Sequence, residues 1–312
     1  MRTANPALPS AAGPAQALRL PLPVLIAAFC LLWASAFSVA KLAVADCPPL
    51  LALTARFLLA GAVMLAVAVF HGLPFNLSRR DVVIFALLGI ANQAAYLGLS
   101  YVGIRGISSG LAALVISANP VLTAVLAAVF LNDPMSWRKG LGLVLGVAGV
   151  AFVVDGRLAA GVEDPVGIGF TIAALISLVS GTILFKKLTP TGGLWVGNTV
   201  QSLAAGIGTL PFALAFENLG EVVPSWRLMA SVVYLALFVS IFAYLLWFHL
   251  LNVSGATAAS SYHFLMPPLG MLFGWLLLGE HVALADLLGM IPVAVGIYLV
   301  TRPSRSLAGG TP

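Results

Sequence analysis

Ten runs of about twenty apolar residues follow one another along this chain, at roughly 22–44, 50–70, 82–101, 107–130, 138–154, 166–186, 194–216, 228–251, 256–278 and 284–301. A membrane span needs roughly 20 such residues, and in lipid a lone segment satisfies its own backbone only as a helix. The connectors are mostly five to ten residues long, too short to hold a water-soluble domain. Only 8% of the 312 residues are charged, whereas 61% are hydrophobic. Soluble domains carry about 25% charge. The alternating strands of about ten residues that build a transmembrane β-barrel are absent. The sequence thus predicts an all-α integral membrane protein of ten transmembrane helices.

Much of this pattern occurs twice. At an offset of 148 residues, Tyr244 answers Tyr96, Pro268 answers Pro120 and Glu280 answers Asn132. Near an offset of 145, Trp33-Ala-Ser-Ala-Phe-Ser-Val-Ala-Lys41 is echoed by the small and hydroxyl residues from Ser177 to Lys187. The fifth and tenth runs each carry two glycines seven apart, Gly142/Gly149 and Gly289/Gly296. Five spans per copy is an odd number, so the second copy enters the membrane upside down relative to the first, as in transporters built from inverted repeats. This predicts a first repeat over residues 21–157 and a second, inverted one over 158–302. A disordered N-terminus (1–20) and a short tail (303–312) flank them.

Lys and Arg counts set the orientation. With the N-terminus inside, ten of them (Arg2, Arg19, Arg79, Arg80, Arg138, Lys139, Lys186, Lys187, Arg302 and Arg305) fall on cytoplasmic segments, and Lys41, Arg105, Arg157 and Arg227 fall outside. Both termini are expected in the cytoplasm, with the protein in the inner (plasma) membrane. The net charge of +5 is then a record of topology, and no nucleic-acid partner is expected. The run from Leu22 exceeds the roughly 7–15 residues of a signal-peptide core, which favours a retained first span. Cys30 and Cys47, about 25 Å apart along one helix, are too distant for a disulfide.

Trp33-Ala-Ser-Ala-Phe37 with Lys41, Ala55-Arg56-Phe57-Leu58-Leu59-Ala60 in the second span, and proline in the fourth and ninth spans resemble the drug/metabolite transporter superfamily. Within it they resemble the EamA family, over about residues 22 to 302. Asn92-Gln93-Ala-Ala-Tyr96 and Ser260-Ser261-Tyr262-His263-Phe264 resemble more particularly the YddG-type exporters of aromatic amino acids. The resemblance implies a ten-helix basket whose central cavity is lined mainly by the third, fourth, eighth and ninth spans, flanked by the first and sixth.

Polar groups at membrane depth are costly and are expected to face a cavity or one another. An amino-acid zwitterion needs hydrogen-bond partners at both ends, and an aromatic side chain needs ring or apolar surface. Trp33, Asn92, Tyr96, Ser117, Asn119, Ser180, Tyr244, Phe248, His263 and Phe264 are the candidate cavity residues. Asn92 and Tyr96, four apart, should share a helix face. Ordinary helix-to-helix bonding competes with a substrate role for each of them, and Trp247 and His249 read as interfacial belt residues. Pro120, Pro267 and Pro268 are candidate hinges, since proline frees a carbonyl one turn earlier. Arg56 is the one permanent charge well inside a span. It is expected to snorkel to the outer interface or to pair with a carbonyl or Asp46, with a substrate carboxylate as the rival partner.

The acidic residues all fall in loops or at span ends. With no deep carboxylate relay, uniport-like export is expected ahead of proton coupling. Gly106-Ile-Ser108-Ser-Gly110 matches a nucleophile-elbow pattern but opens a membrane helix, where Ser108 or Ser109 reads as an N-cap. Gly142 and Gly146 match a small-residue packing motif, expected to serve contacts within a monomeric bundle, a dimer contact being the minority reading. No metal-ligand spacing or phosphate loop is present in the sequence, and no cofactor is expected. The expected function is export of aromatic and other apolar amino acids, with flat drug cations as further substrates. Proton-coupled export or exchange of other small metabolites or drugs is the alternative. Anionic cargo such as sugar phosphates would call for several deep Lys or Arg, of which only Arg56 is present. An intramembrane serine hydrolase is a distant third.

Overall fold

The computed structural model describes residues 20–75, 77–131, 135–188, 193–247, 249, 250, 253 and 262–301, and among these every regular element is helical. In chain order the ten main helices are α1 (Leu22–Asp46), α2 (Pro49–Phe70), α3 (Arg79–Gly106), α4 (Ser109–Phe130), α5 (Trp137–Ala159), α6 (Pro165–Leu188), α7 (Leu194–Phe216), α8 (Trp226–Trp247), α9 (Met266–Leu278) and α10 (Leu284–Thr301). The first eight are long and apolar enough to span a membrane, and α9 and α10 contribute shorter apolar helices. The expected disordered ends (1–20 and 303–312) lie, except for Leu20, outside the described residues, as do most of the first turns expected of the ninth span.

Local sequence explains where the helices begin. Ser78, Ser108, Ser136 and Ser225 each accept a hydrogen bond from the backbone N–H three residues on, the N-cap arrangement. Pro49 stands at the start of α2, where its missing N–H costs nothing. The surface is inverted relative to a soluble protein. Val144, Phe152, Phe212, Trp275 and Ile291 are all more than half exposed, whereas Thr54, Gln93, Asn198, Ser202 and Ser240 are buried. An apolar exterior of this extent matches lipid tails and not water.

The two copies meet through their equivalent helices, which run antiparallel. In the α5–α10 pair Gly142 lies against Gly296 and Gly149 against Gly289, so close that a Cβ on Gly149 would stand 2.7 Å from the Gly289 carbonyl oxygen. In the α2–α7 pair Leu58 fills the space at Gly206 while Leu203 fills the space at Gly61. In the α4–α9 pair Gly110 faces Met271 and Gly270 faces Ala113. Antiparallel pairing of equivalent helices is the geometry of an inverted repeat. The small residues of the Gly142/Gly146 motif serve this packing inside the bundle, with Gly146 against Val121.

Irregularities recur with the same period. α3 contains a π-helical segment at Gly89–Ala95 and α8 another at Leu235–Ala243. Shifting the first by 148 residues places it inside the second. α4 breaks at Ala118, just before Pro120, into Ser109–Ser117 and Asn119–Phe130. α9 is entered through a 3₁₀ turn, Tyr262–Leu265, just before Pro267 and Pro268. Proline has no N–H to return to the preceding turn, so each prolyl site ends one helical segment and starts another.

Candidate functional site

A small cavity of about 40 Å³ lies between α1, α2, α3 and α8. Its walls include Trp33, Arg56, Tyr96, Ser100, Tyr101 and Tyr244. A single water needs roughly 10–15 Å³, so this narrow chamber has room for a few waters and, in this conformation, none for a metabolite. Tyr96 and Tyr244 each stand directly after a π segment. A π turn holds one residue more than an α turn and so re-aims the side chains beyond it. The equivalent tyrosines of the two copies thereby reach one chamber. Tyr244 packs on Trp33 with ring centroids 5.4 Å apart, and the rings continue through Phe29 (5.3 Å) to Trp247 (5.4 Å).

Arg56 departs from the sequence expectation. It is 3% exposed and does not reach an interface. Its Nε donates to Ser240 Oγ and its Nη1 to Tyr101 Oη, both at 3.0 Å. Asp46, the expected partner, is held instead by Arg227 and Ser225 at the start of α8. Among the described residues no carboxylate forms an ion pair with Arg56. An arginine at membrane depth costs about 2.5–3.5 kcal/mol or more. Two hydroxyl partners, at about 1.5–3 kcal/mol for each bond to a charged group, offset that cost without neutralising the charge.

One end of the bundle is tied by charge. This is the end that the Lys and Arg count predicts to be the outer one. The opening of α4 is gripped by two carboxylates from elsewhere: Glu163 accepts from Ser108 N (2.7 Å) and Ser108 Oγ (2.6 Å), and Glu280 accepts from Ser109 N (2.7 Å) and Gly110 N (3.2 Å). Lys41 donates to Glu280 (3.2 Å) and to the Ile107 carbonyl (2.6 Å), tying α1 to α9 and α4. Arg157 donates through two nitrogens to Asp286 (2.8 and 2.7 Å) and through a third to Glu163 (2.6 Å). Carboxylates at a helix N-terminus also meet its positive dipole end. Ser108 is thus an N-cap bound to Glu163 and Arg157, consistent with a structural reading of the Gly106–Gly110 motif. Glu217 likewise caps α2 through Leu50 N and Leu51 N, both at 2.8 Å.

Of the other predicted site residues, Trp33, Tyr96 and Tyr244 line the chamber. Asn92 sits in the π segment and packs against Gly181 of α6, its Oδ1 buried without a partner among the described residues. Ser117 donates to the Leu114 carbonyl within α4, and Asn119 accepts from Thr123. Ser180 is exposed on α6. Phe248 and the side chains of His263 and Phe264 lie outside the described residues. Pro120 and Pro267 stand in the first turns of their helical segments, beside Ala118 and Met266 respectively, and Pro268 follows on an exposed position. Sequence reading passed over Tyr101, Ser100 and Ser240. Tyr101 and Ser240 become visible only once Arg56 is placed.

A model of the EamA-like transporter family matches the chain twice, over residues 22–155 and 165–302. Among similar proteins, an uncharacterized inner membrane transporter of Escherichia coli strain K12, YedA, is 28% identical over 90% of this chain and 91% of its own. An S-adenosylmethionine/S-adenosylhomocysteine transporter of Chlamydia muridarum is 29% identical over 80% of this chain and 81% of its own. A crystal structure superposes with a TM-score of 0.63 at 18% identity, covering 89% of this chain and 96% of the other, which speaks for the fold alone. With one family unit matched in each half and the halves interlocked through antiparallel equivalent helices, this multi-pass membrane protein belongs to the EamA-like transporter family.

Proposed function

We propose that the protein exports aromatic and other apolar amino acids from the cytoplasm across the inner membrane by alternating access, uniport-like, with both termini inside. The observation that carries this reading is the chamber between the repeats, where the rings of Trp33, Tyr96, Tyr101 and Tyr244 surround a buried guanidinium. Rings offer surface to an aromatic side chain, and hydroxyls with a cation suit the polar end of an amino acid. Along the bundle the charged cluster lies towards one end of the chamber and the Phe29–Trp247 stack towards the other, where alternating access would place its two gates.

The test is counterflow in proteoliposomes. Vesicles loaded with unlabelled phenylalanine should accumulate labelled phenylalanine or tryptophan with no ion gradient present. Folded protein that accumulates no amino acid would remove this reading. A second reading takes its support from the Chlamydia relative, whose name gives S-adenosylmethionine as cargo. That compound joins an α-amino acid to a flat adenine ring, so it presents the same two chemistries to the chamber. Competition by S-adenosylmethionine against phenylalanine distinguishes the two.

A further inference from the structure

We propose that Arg56 is the carboxylate-binding subsite of the chamber, so that cargo must carry a carboxylate beside an apolar or aromatic body. This rests on the carrier reading above and narrows its substrate class. A guanidinium has five N–H donors in a planar fork. Ser240 and Tyr101 take one each, and no described residue accepts from the other three. The group lies in the wall of the chamber, 3% exposed, on the second span, where it is held in place from two other helices, α3 and α8. A bidentate carboxylate uses two parallel N–H donors, which leaves both hydroxyl bonds intact. It would also supply the counter-charge that no described side chain provides.

The same surroundings argue against other anions. A phosphate dianion needs more than one cation, and among the described residues Arg56 is the lone cation in the chamber wall. Lys41, the basic group of the neighbouring α1, is already paired with Glu280. The ring of Tyr244 on Trp33 provides an adjacent flat surface for the remainder of the cargo. A lone amine would find the hydroxyls and ring faces but be repelled by the guanidinium and find no carboxylate in the wall.

The experiment compares three probes on the purified full-length protein in detergent: phenylalanine, 3-phenylpropionate (carboxylate alone) and phenethylamine (amine alone). A ligand that binds the folded state raises its melting temperature. Titrated that way, the two carboxylates should bind at least tenfold more tightly than the amine. Arg56→Gln should erase the difference, and Arg56→Lys, with a point charge and no fork, should keep only part of it. If Arg56→Gln does not fold, the three-probe comparison on the native protein decides alone. Phenethylamine binding as tightly as 3-phenylpropionate overturns the proposal, as does an Arg56→Gln protein that keeps the preference. Binding of 3-phenylpropionate without phenylalanine supports Arg56 and sinks the amino-acid reading. If neither carboxylate shifts the melt, the Arg56 proposal falls, while counterflow of another cargo would leave the carrier standing.

Discussion

Arg56 in α2 and Gln201 in α7 occupy the same place in the two copies. Leu58 nests at Gly206 and Leu203 nests at Gly61, which fixes the correspondence at an offset of 145 residues. Both side chains are buried, at 3% and 7% exposure, yet one is a permanent cation and the other a neutral amide. Near Gln201 along α7, Asn198 and Ser202 join an uncharged network: Gln93 donates to Asn198, Ser202 donates to Gln93, and Asn198 donates to the Ser240 carbonyl. Around Arg56 they are the chamber and its tyrosines. The copies agree where helices must cross closely and differ at the wall of the chamber. Packing and breaks follow the repeat, whereas the charge belongs to one copy alone.

Matched substitutions in the two copies can break that comparison. The largest effect is expected at the α5–α10 crossing. Gly149→Leu and Gly289→Leu both push a side chain into the facing backbone or Val153, and each should cost about 3 kcal/mol, at the upper end for overpacking. Thermal melts in detergent should show both proteins destabilised to a similar degree. A near-normal melt in either would mean the crossing is looser than it stands.

At the Arg56/Gln201 pair the copies should part. Arg56→Gln is expected to lower phenylalanine counterflow at least tenfold, about 1.4 kcal/mol or more, while Gln201→Ala changes it less than threefold. Equal losses would assign both positions to structure.

Lys41 and Lys187 end corresponding helices, but Lys41 pairs with Glu280 while Lys187 is exposed. Lys41→Met removes a partly buried ion pair and should favour opening of that end by about 1 kcal/mol, whereas Lys187→Met should be silent there. Labelling of Ser38→Cys, beside Ser109, by a membrane-impermeant maleimide reads the difference. Equal labelling in both variants would deny the pair a closing role.

The smallest effect is expected at the prolines. Pro120→Ala and Pro268→Ala should each slow turnover about two- to threefold with little change in binding, since either bend can be partly reformed by the broken helix around it. Unchanged turnover in both would count against hinging.

The fold was largely legible because its signals are one-dimensional. Run length marks the helices, and the paired glycines and prolines mark where copies cross and bend. Direction around a helix was less legible. Depth along α2 suggested that Arg56 would find the interface or Asp46, but Asp46 is claimed by Arg227 on α8, a partner more than 180 residues away. Asn92 and Tyr96 were expected on one face because an α-helix stacks residues four apart. The π segment between them alters that phase, and Asn92 meets Gly181 while Tyr96 meets the chamber. No residue type announces an extra residue in a turn, so this could not be read in advance.

That extra residue has a mechanical corollary. An α-helix advances 100° per residue, so taking one residue out of Gly89–Ala95 would turn everything beyond it by about that angle. Tyr96 and Tyr101 would swing from the chamber together, and on α8 the same change would carry Tyr244 from it. Each bulge thus works as a gear tooth. Whether a tyrosine points at the chamber or at a neighbouring helix is set by where the surplus residue sits, and sliding it along the helix by one turn would re-aim the chamber wall without changing a side chain.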